Sequence, residues 1–204
     1  MKRNSRFSTL LLPVLVVLAT MGTSSCTEQH SKEKDGANNP DYLFLDIFFG
    51  MGRKEFFDYC WDMNKQQKLV HGTGNTSVQY RLEKELSHPV IMQFYPSFYE
   101  DKIYEMPVTF FYEGWAPWNK EFWSDKLLED MVPLFEKWYG KGFKVLNHPV
   151  QGKVYAKIDK YRRINLFIRD DQYVQAVFTD LKTEKKKEEA EAKKAEQEEA
   201  VSEE

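Results

Sequence analysis

Hydrophobic residues in the first half of the chain change from a continuous run to a helical spacing. Residues 41–49 are almost wholly apolar, which predicts a buried strand. After a short glycine-containing break, Phe56, Cys60 and Met63 recur at positions i, i+4 and i+7. This spacing predicts an amphipathic helix over residues 53–67, because a 3.6-residue period places all three side chains on one face.

Alternation of apolar and polar residues with a period of two predicts half-buried antiparallel strands on both sides of a second helix. The predicted strands are residues 77–82, 90–95 and 107–115 before that helix, and residues 143–146, 154–158, 164–168 and 174–178 after it. The second helix begins near Ser124, a good N-cap residue, and Gly140 is placed to end it. Pro133 lies inside this helix and should kink it or split it.

The predicted order is strand, helix, three strands, helix and about four strands. We therefore expect an α+β fold, an antiparallel sheet with two helices packed on one face. The two halves resemble each other, since each contains one helix followed by strands. Each half also carries His-Pro-Val, at residues 88–90 and 148–150. An internal duplication of a helix-plus-strands unit is one interpretation, and chance similarity at strand entries is the other.

The first 25 residues have the pattern of a secretory signal peptide. Lys2, Arg3 and Arg6 precede an apolar run at residues 10–19, which is too short to span a bilayer. Small residues then lead to Cys26, and this arrangement resembles the type II signal peptide of bacterial lipoproteins, particularly those of the Bacteroidota. The resemblance implies lipid attachment at Cys26 and anchoring to the cell envelope, with the outer membrane as the expected location. The alternative is a plain secretory signal with an incidental cysteine.

Composition divides the remaining chain into three parts. Residues 26–40 contain no large apolar side chain, so we predict a flexible tether. Residues 41–181 hold nearly all of the aromatic residues and form the predicted folded domain. Residues 182–204 are rich in Lys and Glu, which predicts a solvated helix or a disordered tail.

The net charge and the absence of catalytic motifs argue against several classes of function. Loss of the signal peptide leaves 26 basic and 32 acidic side chains, a net charge of −6, which argues against a nucleic-acid partner. The sequence has no nucleophile motif, no metal-ligand spacing and no phosphate-binding loop, so we expect no catalytic residue, no metal and no cofactor. The alternative is an envelope hydrolase that uses Cys60 with a histidine. Because Cys60 lies in the apolar stripe of the first helix, a buried, inert thiol is the preferred interpretation.

Two surface features suggest a partner. Trp115, Trp118 and Trp123 fall within nine residues of a connecting segment, where exposed rings often make contacts with a protein or a glycan. The alternative is that these rings cover the core beneath the second helix. A basic cluster spans residues 153–169, in which Lys153, Lys157 and Arg169 are predicted to lie on an outer sheet face. That face could bind an acidic partner or a glycan, and the alternative is a solvated sheet face.

Gly50-Met51-Gly52 opening a helix with Glu55 and Phe56, followed by strands, resembles small envelope α+β modules. These are the outer-membrane assembly-factor lipoproteins and the β-lactamase-inhibitor-protein fold. The resemblance concerns the fold, and it transfers neither a function nor a binding residue. The sequence thus predicts a lipid-anchored envelope protein that binds a protein or glycan partner.

Overall fold

The computed structural model describes residues 35–72 and 77–202 of the chain, with side chains as far as residue 198. The helices in that part are α1 (Arg53–Lys65), α2 (Ser124–Tyr139) and α3 (Leu181–Ser202), and a 3-10 turn covers Lys120–Phe122. The strands are β1 (Tyr42–Phe44), β2 (Ile47–Phe48), β3 (Val70–His71), β4 (Val78–Leu82), β5 (Val90–Phe94), β6 (Ser97–Tyr99), β7 (Lys102–Tyr112), β8 (Lys144–His148), β9 (Gly152–Asp159), β10 (Arg162–Ile168) and β11 (Val174–Asp180).

One large antiparallel sheet organises the domain. Its strand order is β3-β4-β5-β7-β11-β10-β9-β8, and β6 pairs with the first part of β7. The predicted α+β class with an antiparallel sheet is confirmed. The strand predicted at residues 41–49 is instead the hairpin β1–β2, because Leu45 and Asp46 both have positive φ angles and form a two-residue turn.

The two halves of the sheet have the same topology. A helix precedes a run of antiparallel strands in each half, and the last strands of the two runs, β7 and β11, pair at the centre with Val108 opposite Ala176. The first strands, β3 and β8, form the two edges. The His-Pro-Val segments are not equivalent, since His88 leads into β5 whereas His148 ends β8. The topology therefore repeats, but the shared motif does not mark the repeat.

The core lies between one face of the sheet and the helices α1 and α2. Alternate residues of the central strands point into it, and α2 buries an apolar face that includes Leu127, Met131 and Phe135. Pro133 neither splits nor ends α2, which is continuous from Ser124 to Tyr139 with Pro133 on its exposed side. Helix α1 is much less covered, and Phe56 is its one fully buried residue.

A buried arginine fastens the start of the domain to the sheet. Arg162 is 0% exposed and donates hydrogen bonds to the carbonyl oxygens of Gly36, Asn39 and Tyr42, as well as to the Asp159 carboxylate. Residues 35–40, predicted as the end of the tether, therefore belong to the folded domain. This contact could not be predicted from the side chains of the segment, because its main-chain carbonyl groups make the hydrogen bonds to Arg162. The predicted signal peptide, Cys26 and the tether up to residue 34 lie outside the described residues.

Helix α3 occupies the sheet face opposite α1 and α2. Arg163, which points away from its neighbour Arg162, pairs with Glu184 at 2.7 Å, and Lys187 donates to the Tyr104 hydroxyl at 3.0 Å. The charged tail is thus helical as far as Ser202, and its first turns contact the domain through polar groups. No helix within the described ranges combines the length and the apolar character needed to cross a membrane.

Candidate functional site

Large hydrophobic side chains are exposed in three places among the described residues. Trp118 stands alone in the connection between β7 and α2. A second set surrounds helix α1 and strand β3, and it consists of Phe57, Trp61, Val70 and Tyr95. A third set lies at the opposite sheet edge, around β8, and it consists of Val145, Leu146, Val150 and Ile158. Clusters of exposed apolar side chains mark interaction surfaces more reliably than single ones do.

The second set lines a groove, which we call the aromatic groove. It has a volume of about 400 Å³ and lies between α1, the β3 edge, the start of β4 and Tyr95. All four exposed side chains of the set are among its lining residues. Phe57 and Trp61 are one helical turn apart on α1, and the Phe57 and Tyr95 rings lie 6.4 Å apart. Trp61 is 62% exposed, so its ring is available to a ligand.

Polar groups border the aromatic groove on both sides. Asp58 lies on α1 and pairs with Lys54 at 2.6 Å, while His71 lies on the exposed edge strand β3. Asn64 donates from its side-chain amide to the Leu69 carbonyl at 2.9 Å, which holds the connection from α1 to β3 in place. An apolar floor with a few convergent polar groups is the usual composition of a ligand-binding surface.

Cys60 and His71 both line the aromatic groove, but their arrangement does not activate a nucleophile. Burial of the half-buried Cys60 thiol raises its pKa to about 12, so the thiol stays protonated at physiological pH. Across the described part of the chain, no hydrogen bond joins Cys60 to a histidine. A cysteine nucleophile requires the opposite conditions, a lowered pKa and a neighbouring base.

The three predicted partner-binding tryptophans have different environments. Trp118 is 85% exposed, whereas Trp115 is half-buried and donates from its indole N–H to the Asp171 carbonyl at 3.3 Å. Trp123 is also half-buried, with the Lys120 ammonium over its ring, and its buried indole N–H meets no acceptor among the described residues. Trp118 is therefore the most exposed of the three rings.

A polar network that the sequence did not predict joins the loop between β4 and β5 to helix α2. The Asp130 carboxylate accepts hydrogen bonds from the Ser87 N–H, the Ser87 hydroxyl and the Tyr112 hydroxyl, the last at 2.7 Å. Burial raises the pKa of Asp130, but these bonds outweigh burial and hold that pKa below its usual value. The lowered pKa makes the Asp130 carboxylate a weak base, so the network fits a structural role that joins the loop to α2.

The predicted basic outer face is wrong at Lys157. Strand β9 pairs with β10 so that Lys157 lies opposite the buried Ile164, on the helix side of the sheet. The Lys157 ammonium donates to the carbonyl oxygens of Tyr139 and Gly140 at the end of α2, where a positive charge complements the helix dipole. No cluster of three potential metal ligands occurs in residues 35–72 and 77–202.

A second depression, of about 390 Å³, lies beneath the β1–β2 hairpin beside the end of α2. Half-buried Tyr42, Tyr80 and Trp138 border it, and it exposes no cluster of large apolar side chains. The aromatic groove is therefore the stronger candidate. Comparisons of the chain with family models, curated proteins and solved structures give no match.

Proposed function

We propose that this chain is an exported, lipid-anchored protein of the cell envelope that binds a protein or glycan partner without catalysing a reaction. The aromatic groove is the proposed contact surface. The observation that carries the proposal is the coincidence of two properties: the same four large apolar side chains are exposed and line one groove. Trp118 is a second candidate contact, favoured by its exposure alone.

The groove suits binding because its aromatic side chains need little ordering on contact. Phe57 and Tyr95 already pack edge-on around the buried Phe56 ring, with centroid distances of 5.7 and 6.3 Å from it. Preformed rings lose little conformational entropy when a partner covers them, and tryptophan and tyrosine are typical interface anchors. The raised pKa of Cys60 supports a binding role over the hydrolase alternative.

Lipid anchoring and partner contact have separate tests. Replacement of Cys26 with Ala, followed by cell fractionation, should move the protein from the membrane fraction to the soluble fraction. A variant that remains in the membrane fraction as before would contradict lipid attachment at this residue.

The contact surface is tested by placing a photo-crosslinking amino acid at Trp61 in intact cells. Asp62 is the matched control, because it is equally exposed on α1 but points about 100° around the helix. A discrete adduct from position 61, absent from position 62 and weakened by Phe57→Ala, supports the groove. Equal adducts from both positions, or none from position 61, would contradict it.

A further inference from the structure

Strand β8 is an unprotected sheet edge. Within the described ranges it pairs with β9 alone, and all five of its residues are exposed. Natural proteins usually protect such an edge with proline, a bulge or several charges, because its free main-chain groups can pair with another strand. Here β8 has no proline, its register with β9 is regular, and Lys144 is its one fully charged side chain. The opposite edge, β3, has only two residues.

The hydrogen-bonding pattern identifies which main-chain groups of β8 are free. Asp159 and Arg162 close the two-residue turn between β9 and β10, so the main chain of Asp159 bonds towards β10. Antiparallel strands alternate, and carrying this alternation along β9 makes Leu146 a residue that bonds inward. The N–H and C=O groups of Val145 and Asn147 therefore face the open edge.

The side chains along this edge are exposed to solvent, as its unpaired main-chain groups are. Val145 points to the helix side of the sheet and Leu146 to the opposite side, and Leu146 is 53% exposed. Ile158 of the neighbouring strand lies on the same face as Leu146 and is also exposed, but it lies beyond the end of β8 and out of reach of an added strand. An added strand would thus cover apolar surface on both faces and satisfy free hydrogen-bonding groups as well.

We propose that β8 pairs in antiparallel orientation with β8 of a second copy of this chain, about a two-fold axis at Leu146. In that register Val145 lies opposite Asn147 of the second copy and Asn147 opposite Val145, so the free groups form four mutual hydrogen bonds. Leu146 faces Leu146 of the second copy in a close, non-hydrogen-bonded pair. Lys144 faces His148, and no pair of like full charges meets. The self-complementary pattern favours a second copy over an unrelated strand.

Disulfide crosslinking tests the register directly. Non-hydrogen-bonded antiparallel pairs have Cα atoms about 4.5 Å apart, which is within disulfide range. The full chain carrying Cys26→Ala keeps Cys60 as its one native thiol, and Leu146→Cys is added to it. Mild oxidation should convert most of this variant to a covalent dimer. The matched control is Val150→Cys, which is 88% exposed but lies in the turn beyond β8 and should form at least tenfold less dimer. Equal crosslinking of the two variants, or none, would overturn the proposal.

A charge variant distinguishes pairing of the β8 edges from nonspecific hydrophobic association. Leu146→Glu would place two carboxylates opposite each other, and sedimentation should show at least a tenfold weaker dimer with an unchanged circular dichroism spectrum. Ile158→Glu is the matched control, because it adds the same charge on the same face one strand away and should leave the dimer largely intact. Dimerisation of Leu146→Glu like the parent chain, or equal loss in both variants, would overturn the two-fold edge pairing.

Discussion

Replacement of Arg162 with Met should destabilise the domain far more than the same replacement at the neighbouring Arg163. The guanidinium is fully buried and makes a two-point ion pair with Asp159, with bonds of 3.2 and 2.9 Å. The guanidinium also donates hydrogen bonds to three main-chain carbonyl groups. A Met side chain has no donor, so these carbonyls would lose their partner. Breaking a buried pair from one side costs about 3–5 kcal/mol, and the orphaned carbonyls keep the loss at the upper end of that range.

Urea unfolding followed by tryptophan fluorescence measures this effect. With a slope of about 2 kcal/mol per molar, the midpoint should fall by roughly 1.5–2.5 M. Arg163→Met is the matched control, because Arg163 is the next residue on the same strand but pairs with Glu184 at a partly exposed site. Its loss should be below about 1 kcal/mol. Hydrogen exchange should also show residues 35–42 released in Arg162→Met. A stability for Arg162→Met within about 1 kcal/mol of the Arg163→Met value would refute the assigned role.

Three further predictions concern individual side chains. Cys60 in the Cys26→Ala chain should react with maleimide at pH 8 about 1,000-fold more slowly than a free thiol, because burial raises its pKa from 9.0 to about 12; an ordinary rate would contradict the burial. Asp130→Asn should lower the free energy of unfolding at neutral pH. The difference from the parent chain should shrink as the pH falls through the lowered pKa of the Asp130 carboxyl, because the stabilising negative charge is present only above that pKa. A difference in urea unfolding that does not change with pH would exclude this. Trp118→Ala should change the unfolding free energy by less than about 0.5 kcal/mol, whereas Trp123→Ala should cost about 2 kcal/mol, and equal losses would contradict their different burial.

The elements were predictable where the hydrophobic period is unambiguous. Helix α1 begins at the predicted residue, and α2 has its predicted start and its end before Gly140. Strands that lack a pattern of useful length were missed, namely the two-residue β3 and the three-residue β6. Strand β7 also starts five residues before its predicted start, because a bulge beside β6 interrupts its alternation.

The positions of the strands were more predictable than the question of which strand face is buried. In β9 the residues Val154, Ala156 and Ile158 alternate cleanly, yet Ile158 is exposed and Lys157 points to the helix side. Alternation identifies two faces but not which one is buried, and here the turn into β10 and the carbonyls at the end of α2 decide it. Tertiary contacts of this kind are not readable from one strand.

The candidate site was only partly predictable. Phe57 and Trp61 each directly follow a residue of the predicted apolar stripe of α1, but their exposure depends on how little of α1 the rest of the domain covers. Val70 and Tyr95 come from separate loops and strands, and only the folded chain brings them to the same groove. The sequence instead predicted a contact site at residues 115–123, because three tryptophans lie close together there. Two of these three rings are half-buried in the structure.

The most direct test of the groove is the affinity of the partner crosslinked from position 61 for Trp61→Ala, measured by calorimetry beside a thermal melt. We predict a dissociation constant about 30-fold higher than that of the parent chain, equivalent to about 2 kcal/mol for an interface anchor. The melting temperature should be nearly unchanged, because Trp61 is 62% exposed. An unchanged dissociation constant, or a weakened one accompanied by a large fall in melting temperature, would contradict the aromatic groove as the binding surface.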